Sequence, residues 1–157
     1  MDYSQFLAMK QEIGLLVIFL FVFFYDAFMP KKSQGALAGI TTMLFGVFTL
    51  YGFFCPCLNG ACATDAFAGM YNTSAIVVAI KNILNIGVFI VLIQSMKWAN
   101  SEDQVIRRGE FYELLLVTLF GMYLMISARH FLLFVIGLEA ASLPLAAMVA
   151  FDKKRVE

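Results

Sequence analysis

Residues 111–128 and 131–151 are two predominantly apolar runs of 18 and 21 residues, with only Arg129-His130 between them. An α-helix rises about 1.5 Å per residue, so each run can cross a hydrocarbon layer of roughly 30 Å. Two residues leave room for a tight turn only, and the runs must therefore form an antiparallel pair. Inside lipid no water is available to the backbone, which leaves the helix as the form that bonds every peptide group internally. The chain as a whole repeats this constraint. Of its 157 residues, 62% are hydrophobic and 14% charged, and the mean hydropathy is +0.85. These values lie outside the soluble range and define an all-α, polytopic membrane protein.

Three further apolar runs precede the pair, at 13–29, 36–54 and 75–96, so five transmembrane helices are expected in a single membrane domain over residues 1–157. The first run does not read as a cleaved signal, because Asp2 and Glu12 spoil a basic leader and no small-residue cleavage site follows. Asp26, close to Lys31 and Lys32, reads as an interfacial charge. The second run carries Gly39, Gly46, Gly52, Thr41, Thr42 and Thr49, the small and hydroxyl residues of packed membrane helices. The formal net charge is zero, and no basic stripe favours nucleic acid.

Basic residues choose the orientation. With the N-terminus outside, the inner loops hold Lys31, Lys32, Lys97, Arg107, Arg108, Lys153, Lys154 and Arg155, and the outer segments hold Lys10 and Arg129. Eight against two satisfies the positive-inside rule. The loop Cys55-Pro56-Cys57-Leu58-Asn59-Gly60-Ala61-Cys62 then faces outward. It lacks a second CxxC pair, a nearby His and a fourth thiol, so no metal is assigned; a disulfide and free thiols both fit.

Two charged residues lie well inside spans, away from their ends. Glu139 stands eight residues into the last run, about 12 Å from its start and near the bilayer midplane. A carboxylate there costs several kcal/mol, about 3 kcal/mol or more, unless it faces a polar interior or takes up a proton. Its surroundings are Gly137-Leu138-Glu139-Ala140-Ala141-Ser142-Leu143-Pro144. Gly137 and Ala141 share a face and admit a neighbouring backbone. Ser142 can reach the carboxyl group, and Pro144 withholds a backbone donor and frees a carbonyl near the acid. Glu139 is thus a candidate for proton transfer, and the competing reading is a neutral acid that hydrogen-bonds two helices. Lys81 lies about 9 Å into the third run. It either snorkels outward or faces the interior and pairs with an acid.

The motifs Gly109-Glu110-Phe111-Tyr112, Gly121-Met122-Tyr123-Leu124-Met125, Gly137-Leu138-Glu139 with Ser142-Leu143-Pro144, and Val149-Ala150-Phe151 resemble subunit N of the bacterial respiratory complex I. Ala68-Gly69-Met70-Tyr71 and Lys81-Asn82-Ile83-Leu84 resemble the third-helix region of that subunit. Related L and M subunits and the Mrp-type cation/proton antiporters share an acid at this helix, but the Leu-Glu-x-x-Ser-Leu-Pro run favours N. The resemblance implies a proton-translocating, antiporter-like subunit of NADH:quinone oxidoreductase in the bacterial inner membrane. Its partners would be the neighbouring antiporter-like and small membrane-arm subunits and the lipid bilayer. It implies no cofactor in this chain, since NADH, FMN, Fe-S clusters and quinone belong to other subunits. Glu139 matches the fifth-helix glutamate, which is thought to pair with a lysine on a later, broken helix. Family members are several times longer, so a fragment, a truncation or a split gene product is expected. A non-catalytic membrane scaffold is the alternative.

Overall fold

The computed structural model describes residues 9–28, 36–54, 64–67, 69–99 and 108–150. The cysteine loop and most of the charged connector after residue 99 lie outside them. Five helices are long and apolar enough to cross a membrane: α1 (Lys10–Phe28), α2 (Leu37–Phe54), α3 (Ala75–Ala99), α4 (Arg108–Ser127) and α5 (Phe131–Ala150). Two short strands, β1 (Thr64–Ala66) and β2 (Tyr71–Thr73), pair antiparallel between α2 and α3. Sequence reading predicted no strand there, because three residues are too few to show a two-residue period. The hairpin turns through Gly69 at φ 83°, a left-handed conformation that glycine adopts without a side-chain clash.

Three threonines inside the spans are satisfied locally. Thr42, Thr49 and Thr118 donate to the carbonyls of Ala38, Phe45 and Leu114 at 2.7–2.9 Å, one turn back along their own helices. This removes most of the cost of burying a hydroxyl in an apolar bundle. The α3 N-terminus is capped by Ser74, whose Oγ accepts from Val77 N at 3.3 Å.

α4 is the organising helix. Tyr112, Leu116, Leu119 and Tyr123 recur at intervals of four, three and four residues and are all fully buried. This stripe packs with Leu15 and Val22 of α1, Phe45 of α2 and Leu92 of α3. Asp26, at the far end of α1, lies against Gly109 in the first turn of α4, where the helix dipole favours a carboxylate. Large apolar side chains such as Val17, Met43, Ile76 and Phe131 cover the outside, the arrangement of a bundle solvated by lipid.

α5 differs from the other four helices. It packs chiefly on α4 and buries the least of any span. The contact is made by small residues, with Gly137, Ala141 and Pro144 facing inward. A Cβ added at Gly121 would meet the Ala141 backbone nitrogen at 2.4 Å, and one at Gly137 would meet Met125 N at 2.8 Å. The helix backbones are therefore in direct contact, as the Gly137/Ala141 spacing predicts. Gly121→Leu is expected to separate α4 from α5 and destabilise the protein by about 1–3 kcal/mol. A lowered thermal midpoint of the purified protein in detergent would register it.

Contacts at the helix ends fix the topology. Tyr71 bridges to Ala128, and Arg129 N donates to Met70 O at 2.9 Å. Gln11 of α1 bonds Asn82 of α3, which in turn bonds the Gly52 carbonyl of α2. The starts of α1, α3 and α5 and the ends of α2 and α4 thus share one end of the bundle. The hairpin lies at that end.

Candidate functional site

Near the hairpin end, three helices and β2 enclose an ion pair. Lys81 Nζ lies 2.5 Å from Glu12 Oε1, and the two side chains are 1% and 2% exposed. Tyr71 OH donates to the same oxygen at 2.7 Å, while Lys81 Nζ also donates to Tyr71 OH at 3.2 Å. Burial, reinforced by the neighbouring Glu12 carboxylate, pushes the Tyr71 phenol above its ordinary value, so it stays protonated and acts as a donor. The ammonium also faces the rings of Tyr71 and Tyr123, at 5.4 and 5.3 Å from their centroids. Tyr123 OH donates to Asn85 Oδ1 at 2.5 Å, one turn along α3 from Lys81. Asn82 donates to the Gly52 carbonyl at 3.0 Å and accepts from Gln11 Nε2 at 3.1 Å.

Lys81 therefore faces the interior and does not snorkel. The outward reading fails because Glu12, Tyr71 and two aromatic rings meet the ammonium inside, whereas the outer route would leave the Glu12 carboxylate without its cation. Glu12 was missed as a site residue, since at the edge of an apolar run it reads as a flanking charge. A usable signal existed. A lysine two turns inside a span needs an acid at matching depth, and Glu12 opens a neighbouring span at the same membrane end. Tyr71, Tyr123 and Asn85 carry no such mark in the sequence.

Glu139 sits elsewhere. Successive α-helical residues turn by about 100°, which puts Glu139 roughly 200° around α5 from Gly137. It is exposed on the back of α5, among Ile136, Leu138 and Leu143. Ser142 does not bond its carboxyl group, as the spacing had suggested; Oγ donates instead to the Glu139 backbone carbonyl at 3.4 Å. A short hydroxyl side chain on a helix finds the preceding turn's carbonyl more readily than a side chain pointing outward. Pro144 continues α5 without a backbone N–H, so the Ala140 carbonyl, next to Glu139, loses its helical donor. Glu139 and Lys81 are not brought together. One faces out from α5, and the other is sealed between α1, α3 and α4. Among the described residues, no group of three His, Cys, Asp or Glu side chains converges as metal ligands would.

No protein-family model matches the chain. Curated relatives do. NADH-quinone oxidoreductase subunit N of Azobacteroides pseudotrichonymphae is 39% identical across 98% of the chain, and that of Phocaeicola vulgatus is 38% identical across 98%. The subunit N of Methylovorus glucosotrophus is 29% identical across 96%. The chain belongs to the subunit N family of NADH-quinone oxidoreductases. It spans about 31% of the length of the first two relatives. Membership agrees with the five-helix membrane architecture, and it covers α1 to α5 alike, the Glu12–Lys81 pair as well as Glu139.

Proposed function

We propose that this chain is part of a proton-translocating, antiporter-like subunit of NADH:quinone oxidoreductase, and that Glu139 binds and passes the proton. On this reading it lies in the bacterial inner membrane with its N-terminus outside, beside the other membrane-arm subunits, and holds no redox cofactor. The observation that carries the reading is the placement of Glu139. An ionisable group near the middle of a span is costly in lipid and marks an ion or proton pathway. Glu139 points away from the α1–α4 core, toward whatever packs on the back of α5. The relatives are about three times longer than the match, and the reading assigns that position to their further helices. A lysine supplied there would pair with the carboxylate when close and free it for proton exchange when it withdraws. The lost helical donor at Ala140 adds a polar group beside the path.

The test is Glu139→Gln in the complete subunit, since the amide keeps shape and hydrogen bonding but cannot titrate. Orientation is tested separately. An impermeant thiol reagent applied to intact cells after reduction should label the Cys57–Cys62 region, and a cysteine placed at Ser101 should stay unlabelled. The reverse pattern would invert the topology.

A further inference from the structure

Glu12 is engaged through one oxygen only. Oε1 receives both Lys81 and Tyr71, whereas Oε2 is buried with no hydrogen-bond partner among the described residues. A pair whose sole task was to tie α1 to α3 would gain by bonding both oxygens, because a buried acceptor without a donor is destabilising. The ammonium is in the opposite position. Beyond Glu12 it donates to Tyr71 and faces two aromatic rings, which favour a cation whatever the state of the acid. A proton placed on Oε2 would turn an unpartnered acceptor into a donor and leave every contact of Lys81 in place.

We propose that Glu12, Lys81 and Tyr71 form a second proton-binding site of this chain, which takes up one proton on Glu12 Oε2 while Lys81 stays charged. The proton bonds to a carboxylate lone pair, no other bond breaks, and the net charge of the pair rises from zero to plus one. The proton comes from water at the hairpin end of the bundle. Ser127 and Asn85 extend the polar line from that end: Ser127 is buried beside Tyr71, and Asn85 Nδ2 is buried without a partner among the described residues. Ser127 adjoins Ala128, which bridges to Tyr71.

The ionisable residues at the hairpin end of the elements around the pair are Lys10 and Glu12 on α1, Tyr71 on β2, Lys81 on α3 and Tyr123 on α4; Tyr25, Asp26, Lys97, Arg108, Glu110, Tyr112 and Glu113 lie toward the opposite end. β1 carries Asp65, Arg129 and His130 form the α4–α5 turn, and α2 has no charged residue. The site is separate from Glu139, and its test does not depend on the role assigned to that residue.

The experiment is pH-difference infrared spectroscopy of the full-length subunit in its purified membrane assembly, read at the C=O stretch of protonated carboxyl groups. The parent should gain a carboxyl band on acidification that is lost in Glu12→Gln and kept in Glu139→Gln. Lys81→Arg should keep the band and move its midpoint, which a distant carboxyl would not do. If Glu12→Gln assembles poorly, the double variant Glu12→Gln/Lys81→Met has no charge to bury and must lose the same band. Spectra of parent and variant that superimpose throughout the pH range would overturn the proposal and leave Glu12 as a tether.

Discussion

Lys81→Met is expected to be the most destabilising single substitution in the bundle, at about 3–5 kcal/mol, the range found when one partner of a buried ion pair is removed. Methionine fills much of the space of the lysine stem, so a cavity is not the cause. Glu12 would be left 2% exposed, with Tyr71 as its one remaining donor and no cation bonded to it among the described residues. A carboxylate in that position must either bear the desolvation penalty or take up a proton. Glu12→Gln should be milder. Its amide oxygen still accepts from Lys81 and Tyr71, and the two aromatic rings still face the ammonium. Combining Lys81→Met with Glu12→Gln should recover most of the loss, because no unpaired charge is then buried. Thermal midpoints of the three purified variants in detergent test this order. Equal losses in all three would mean that side-chain packing, not charge, holds α1 to α3.

The contrast between the two ionisable sites shows what a single sequence can reveal about such a protein. The five spans were legible because each needs about 20 apolar residues, a constraint that acts on one segment at a time. The α4–α5 contact was legible for a similar reason, since Gly137 and Ala141 sit at helical spacing and their neighbour follows after a two-residue turn. Glu139 could be singled out because its cost depends on depth alone. The fate of Lys81 was not legible. Its partner lies 69 positions earlier, and hydrophobic periodicity does not say which helix packs beside which. Glu12 was harder still, since near a span boundary a charge looks cheap until the fold closes over it. The pairing of β1 with β2 was lost to its length, and the Ser142 contact to the rotamer preference of a hydroxyl that spacing alone does not encode.

NADH-driven ΔpH formation by membranes containing Glu139→Gln tests the proposal that Glu139 carries a proton. Comparable amounts of assembled enzyme must be present in variant and parent. Glutamine fills the same volume on the back of α5 and can hydrogen-bond to the same neighbours, so assembly should be largely preserved. Proton pumping and the coupled reduction of quinone should fall several-fold, because the amide cannot exchange a proton with a partner. Glu139→Asp should keep part of the activity, since the carboxylate survives at a shorter reach. Glu139→Leu removes the polar group altogether and should impair assembly as well, by leaving its partners unsatisfied. If ΔpH formation in the Gln variant equals that of the parent, Glu139 is a structural hydrogen-bonding group and the proton pathway does not run through α5.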